Sequence, residues 1–179
     1  SGLFDNTGDS RYLLIAQRIF YNAMGFAQRS NGGFGCDNCV GAQEPFVHPK
    51  EEYFEAYWCC TMRGGEGLAR AAENMLRTDA DTLYILRPGD ADIELDGQRI
   101  RMRAEFPRDT RVTLEMEGEG RWKHVRLYLP ETAEEVRIAS GAGKTAVSSL
   151  PAEDGIILPF SSGCRTEITY SIPLRTEAP

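Results

Sequence analysis

The sequence predicts an α+β protein, with helices and one long loop in residues 1–80 and an antiparallel β-sandwich in residues 81–179. Three observations lead there. Apolar residues recur at helical spacing up to about Arg77. From Thr82 onward the apolar period drops to two. Between the two helical stretches lies a run rich in Gly, Pro and Cys that fits neither period.

Residues 9–27 read as a helix. Asp9 or Ser10 can cap it, and Tyr12, Ala16, Ile19, Ala23 and Phe26 share one face, widened by Leu13, Phe20 and Met24. Asn31-Gly32-Gly33 stops it. Residues 30–58 form a loop whose length marks it as functional or disordered, and whose aromatic residues (Phe34, Phe46, Tyr53, Phe54, Tyr57, Trp58) argue that it packs. A second helix is expected from Met62 to Arg77, with Thr61 as its N-cap and Leu68, Ala71, Ala72, Met75 and Leu76 as its apolar stripe. Gly64, Gly65 and Gly67 are poor helix formers, so their expected use is close approach of a neighbour to the backbone.

The strands follow. Leu83–Leu86 reads as a buried strand ended by Pro88-Gly89. Asp92–Leu95 runs through an Asp96-Gly97 turn into Arg99–Phe106, a hairpin signal. Ile100, Met102, Ala104 and Phe106 point one way, and Arg99, Arg101, Arg103 and Glu105 the other. Val112–Met116, Val125–Leu129, Val136–Ile138, Ile156–Leu158 and Ile168–Leu174 complete about eight short strands, the pattern of a sandwich.

Composition narrows the function classes. A 41% hydrophobic, 26% charged chain is globular in type, and no apolar run approaches the roughly 18 residues of a membrane-spanning helix. A net charge of −7, with arginines scattered along strands, argues against a nucleic-acid backbone or an anionic membrane as partner. The chain opens without Met in a polar stretch and shows no signal peptide, so it reads as the continuation of a longer protein. The compartment stays open, with a cytoplasmic location slightly favoured because no signal peptide is visible; the thiols decide little, since zinc thiolates also persist outside the cytosol.

Four of the five cysteines lie between Cys36 and Cys60, which favours metal or catalytic use over structural bridges. Cys59 and Cys60 are adjacent and so are poorly placed to bridge each other. Ahead of a helix they sit where unpaired N–H groups and the helix dipole favour a thiolate. Two small buried hydrophobes are the plainer alternative, since free Cys is among the most buried residue types. Cys36-Asp37-Asn38-Cys39 is a C-x-x-C, and with Cys59 and Cys60 it resembles a four-thiolate zinc site lacking the usual gap in its second pair. Loop thiols forming a reversible disulfide are the alternative there. His48 lies between the two pairs as a possible ligand or sugar contact. Tyr57 and Trp58 can stack on a sugar ring, and Arg63 can bind sugar hydroxyls or pair with Glu66.

Several motifs in order carry a resemblance. Thr7-Gly8-Asp9-Ser10-Arg11-Tyr12, Arg18-Ile19-Phe20-Tyr21-Asn22 and Cys59-Cys60 opening a helix are similar to the "T-G-D-x-x-Y", "R-x-x-Y-N" and "C-C" of glycoside hydrolase family 127, the bacterial β-L-arabinofuranosidases. Leu83-Tyr84-Ile85, Val125–Pro130, Gly155–Pro159 and Ile172–Arg175 extend the likeness through the strands. The resemblance implies that residues 1–80 are the last helices of an (α/α)6 barrel followed by the sandwich. It also implies a retaining glycosidase with a zinc-bound cysteine nucleophile, Cys59, and Cys60 as the adjacent zinc ligand. The family's Glu-x-Cys zinc motif and general acid lie upstream of such a segment, so the chain is expected to be inactive alone. It is expected to form a homodimer or to associate with the missing part of the barrel. The family follows its Cys pair with Pro-Pro-Asn, whereas Thr61-Met62-Arg63 stands here, which marks a divergent branch. The rival reading is a non-catalytic carbohydrate-binding or assembly sandwich with a structural zinc loop. A redox C-x-x-C protein is disfavoured because no βαβ context surrounds the motif.

Overall fold

In the computed structural model, residues 2–28, 32–34, 59–106, 108–130, 132–141, 145–148 and 155–173 are described, with the backbone alone at 26, 59 and 145–148. The chain divides into two units, Ser1–Asn74 and Met75–Pro179. The class is α+β, as the change of period predicts.

The first unit opens on a helix the polar N-terminal sequence did not announce, α1 (Gly2–Thr7). Its end explains the Thr-Gly-Asp motif. The Thr7 hydroxyl donates to the Leu3 carbonyl at 2.7 Å and accepts the Asp9 N–H at 3.2 Å. Gly8 takes φ +70°, and its N–H reaches the Phe4 carbonyl at 2.7 Å, a left-handed helix stop. Asp9 then starts the next helix: its Oδ1 accepts the Arg11 N–H at 3.0 Å, and its carboxylate also takes the Arg11 guanidinium. The expected 9–27 helix is α2 (Arg11–Arg18), a π segment (Ile19–Met24) and a final turn, α3 (Gly25–Ala27).

The face that α2 buries differs from the expected one, and it does so before the π segment begins. Leu13, Leu14 and Gln17 are buried, whereas Ala16, Ile19 and Ala23 of the expected apolar face are exposed. Helix α4 runs Cys59–Glu73, not Met62–Arg77, and Leu76–Thr78 is strand.

The second unit holds ten strands among the described residues. They are β1 (Leu76–Thr78), β2 (Thr82–Ile85), β3 (Ala91–Leu95), β4 (Gln98–Ala104), β5 (Arg111–Gly118), β6 (His124–Leu127), β7 (Glu134–Ser140), β8 (Thr145–Ser148), β9 (Ile156–Pro159) and β10 (Cys164–Ser171). One sheet has the order β1-β2-β6-β9, the other β3-β4-β5-β10-β7-β8. The six-stranded sheet is antiparallel throughout, but β2 and β6 pair in parallel, a departure from the expected all-antiparallel sandwich. The reason is topological. Strands β3–β5 lie between them in sequence but in the other sheet, and that excursion is the long crossover a parallel pair needs.

Alternation builds the core. Leu83, Ile85, Val125, Leu127, Ile156 and Leu158 from one sheet join Ile100, Met102, Val112, Leu114, Met116 and Ile168 from the other in one buried cluster. The Asp96-Gly97 turn sets the β3–β4 register, with Leu95 opposite Gln98 and both turn residues at positive φ (53° and 78°). Gln98 itself is buried beside Trp122. Its Oε1 accepts the Trp122 N–H at 2.7 Å and its Nε2 donates to the Trp122 carbonyl at 3.0 Å. The side chain thus completes both backbone groups of a buried residue.

Candidate metal and nucleophile site

Cys59 and Cys60 occupy the first two positions of α4 as described. Cys60 is half-buried. Thr61 is not a cap: it lies inside the helix, and its hydroxyl is committed elsewhere. Its Oγ1 accepts the Phe34 N–H at 3.1 Å and donates to the Phe34 carbonyl at 3.4 Å. Both backbone groups of Phe34 are thereby held on the residue that follows Cys60, and Phe34 forms an isolated bridge with Gln28.

The glycines of α4 explain why Phe34 can lie there. Its ring, 5% exposed, rests directly on the Gly64 Cα, where a β-carbon would collide with the ring atoms. At Gly67 a β-carbon would come within 2.8 Å of the Met24 side chain of the π segment. Close approach is therefore the use of Gly64 and Gly67, as their cost in a helix suggests. Gly65 differs: nothing lies within 4 Å of its β position.

Arg63 points to solvent and pairs with Glu66 at 2.6 Å, as Arg70 does with Glu73 at 3.0 Å. Those i,i+3 pairs are the structural use of these arginines in the described chain. Cys36, Cys39, His48, Tyr57 and Trp58 lie outside the described residues. Among the described residues no group of three or more His, Cys, Asp or Glu is placed to hold a metal ion. No described helix is long and apolar enough to cross a membrane.

Sequence reasoning missed the Phe34–Thr61 link. It joins positions 27 apart, and no local pattern reports such a contact. Only the glycine spacing in α4 hinted that something would press on that face.

Two soft donors side by side suit zinc, which binds cysteine thiolate and is usually four-coordinate in structural sites. Cys59 and Cys60 fit half of such a set.

No family model matches the sequence, and no curated protein matches it. Solved structures do match its fold. A GH127 β-L-arabinofuranosidase from Geobacillus stearothermophilus T6 has a TM-score of 0.71 at 16% identity over 97% of this chain. A structure described as a glycoside hydrolase gives 0.75 at 13% over 96%, and a second GH127 β-arabinofuranosidase gives 0.65 at 15% over 94%. The chain covers about 30% of the length of each. Helical residues and strands together therefore share their fold with one portion of these larger glycoside hydrolases.

Proposed function

We propose that the chain is the C-terminal portion of a retaining glycoside hydrolase acting on L-arabinofuranosides or related plant or bacterial glycans, with Cys59 as nucleophile. The observation that carries this reading is the fold likeness, which runs through helices and sandwich together and includes two GH127 enzymes. A free-standing sandwich module would leave the helical unit unexplained. The exposed Ile15 and Ile19, one turn apart at 49% and 57% exposure, fit the same reading, since helices of an incomplete barrel leave apolar faces uncovered.

The chemistry suits the residues. A retaining glycosidase sets a nucleophile opposite a general acid, about 5 Å apart when both are carboxylates. Here the Cys59 thiolate attacks the anomeric carbon, forming a C–S bond as the glycosidic C–O bond breaks. An acid supplied by the rest of the barrel protonates the departing oxygen. Water then displaces sulfur and restores the starting configuration. Cys60 would hold the adjacent zinc position, and Cys36 or Cys39 would complete the set in place of the family's Glu-x-Cys motif. Bound zinc would keep the thiolates deprotonated at neutral pH. Tyr57, Trp58 and His48 are the proposed sugar contacts. The general acid lies in the rest of the enzyme, so this chain alone does not turn over substrate.

The test uses the chain joined to, or co-expressed with, the upstream part of its protein. Elemental analysis should find zinc, and an aryl β-L-arabinofuranoside should be hydrolysed. Cys59→Ser should reduce turnover by at least about 10³-fold, in line with losses at other covalent nucleophiles, while the fold persists. Loss of metal and stability together, with no hydrolysis in the parent, would favour a purely structural zinc loop instead.

A further inference from the structure

The outer face of the six-stranded sheet carries a second candidate site. Strands β4, β5 and β10 lie side by side, and their registers align two outward rows, Arg101–Glu115–Arg165 and Arg103–Thr113–Glu167. Arg101, Arg103, Thr113, Glu115 and Arg165 line an open depression of about 180 Å³. That is smaller than the roughly 300–1,000 Å³ of drug-sized pockets, and suits one ring-sized ligand.

Its charges are unbalanced in a chain of net charge −7. Three guanidinium groups face one carboxylate in the lining. Arg101 is well occupied, 2.9 Å from Glu117, 3.8 Å from Asp92 and 4.0 Å from Glu115. Arg165 reaches Glu115 only at 3.8 Å. Arg103 forms no ion pair among the described residues, and its Nη1 donates only to the Met102 carbonyl at 3.3 Å. The register shows why. Thr113 stands opposite Arg103, where the checkerboard of Arg and Glu along β4 and β5 would place a carboxylate. The nearest acid in that row, Glu167, lies 4.0 Å from Arg111.

We propose that this depression binds the carboxylate of an acidic sugar, a hexuronate unit of the glycan the enzyme acts on. The identity of the ligand as a sugar rests on the glycosidase reading above; the anion site does not. Arg103 presents a planar fork matched to a carboxylate. The Thr113 hydroxyl and the Glu115 carboxylate can bond sugar hydroxyls, Glu115 as acceptor only. That mixture favours a uronate over sulfate, which has no hydroxyl to offer Glu115 and is repelled by it. The side chains are partly solvated, so binding is weak, with a Kd on the order of millimolar, and falls with salt.

The test titrates the full chain with sodium D-galacturonate, following the Thr113 amide and the Arg103 Nε–H by NMR, with D-galactose and sodium sulfate as controls. Saturable shifts with galacturonate alone, weakened about 5-fold or more by Arg103→Gln and also by Thr113→Val, support the site. Equal response to sulfate overturns the sugar-acid assignment, and equal response to galactose or an unchanged Arg103→Gln variant overturns the carboxylate site. Cys59→Ser should leave this binding unaltered. Failure to bind uronate in an assembled enzyme that still cleaves arabinofuranosides removes this proposal alone, whereas binding without hydrolysis removes the glycosidase reading alone.

Discussion

Asp79 shows how much one side chain settles at a turn. Its Oδ1 accepts the Asp81 and Thr82 N–H groups at 3.2 and 3.0 Å, while Oδ2 accepts the Tyr84 hydroxyl at 2.6 Å. The chain thereby folds back from β1 into β2, and Arg126 lies 5.8 Å from the Tyr84 ring centroid. The Tyr84 hydrogen bond, with smaller backbone contributions, holds Asp79 below the usual carboxylate range. The same bond, with burial, pushes Tyr84 up to about 12. The two shifts act at opposite ends of the pH scale. Asp79, whose folded value is depressed, contributes stability above its unfolded value near 4 and loses it as pH falls through the folded value. Tyr84, whose folded value is raised, contributes in full below about 10 and loses that contribution as pH rises towards 12. Tyr84→Phe should cost about 0.5–1 kcal/mol at neutral pH, the low end for a hydrogen bond because the pair is solvated. Its absorbance titration should lack the highest-pH tyrosinate phase, and an unchanged profile would assign that phase to another tyrosine.

Helix α4 makes a sharper experiment, because three glycines within four positions have different surroundings. Gly64→Ala drives a β-carbon into the Phe34 ring. It should destabilise the helical unit by about 1–3 kcal/mol, the usual range for overpacking. Gly65→Ala meets nothing within 4 Å and should stabilise by up to about 1 kcal/mol through helix propensity alone. Helical signal followed through urea separates them, and equal effects would mean that Phe34 does not rest on α4. Elements differ in the same way in how plainly the sequence announces them. Strands β4, β5 and β10 are legible because one face is core and the other solvent, so apolar and charged residues alternate strictly. Strand β1, of three residues, is too short to show a period, and its sequence continues the apolar stripe of the preceding helix. In α2 and the π segment apolar residues surround the axis, so the spacing admits several faces. The candidate site divides likewise. Cys59 and Cys60 are visible from residue type and neighbours. The Phe34–Thr61 anchor and the Arg103–Thr113 mismatch are not, because each depends on pairing distant positions.

At the scale of the whole chain, the described residues of the two units form very unequal cores. Among the described residues, the buried cluster of the sandwich contains sixteen, from Leu83 to Tyr170. In the described part of the helical unit, Leu13, Leu14 and Phe34 are the buried apolar side chains, while Leu3, Ile15, Ile19, Met62 and Leu68 are exposed. Burying one large apolar side chain is worth about 1.5–3 kcal/mol, and ordering each residue costs about 1–2 kcal/mol, so three such side chains do not hold the described helices on their own. Among the described residues the sandwich has the denser core. Two consequences follow and can be measured together. Residues 75–179 expressed alone should unfold cooperatively in urea, at a midpoint close to that of the main transition of the full chain. In the full chain, hydrogen exchange by mass spectrometry should show α2 and α4 exchanging through low-energy local opening while β4, β5 and β10 require global unfolding. If the rest of the proposed glycoside hydrolase covers the exposed helical faces, its presence should slow exchange in α2 and α4 by at least about tenfold and leave the strands unaltered. Ile19→Glu should abolish that protection while changing the stability of the isolated chain by less than about 0.5 kcal/mol, as expected of a surface position. Equal protection of helices and strands in the isolated chain would contradict this hierarchy and place the missing partner of the helices within the chain itself.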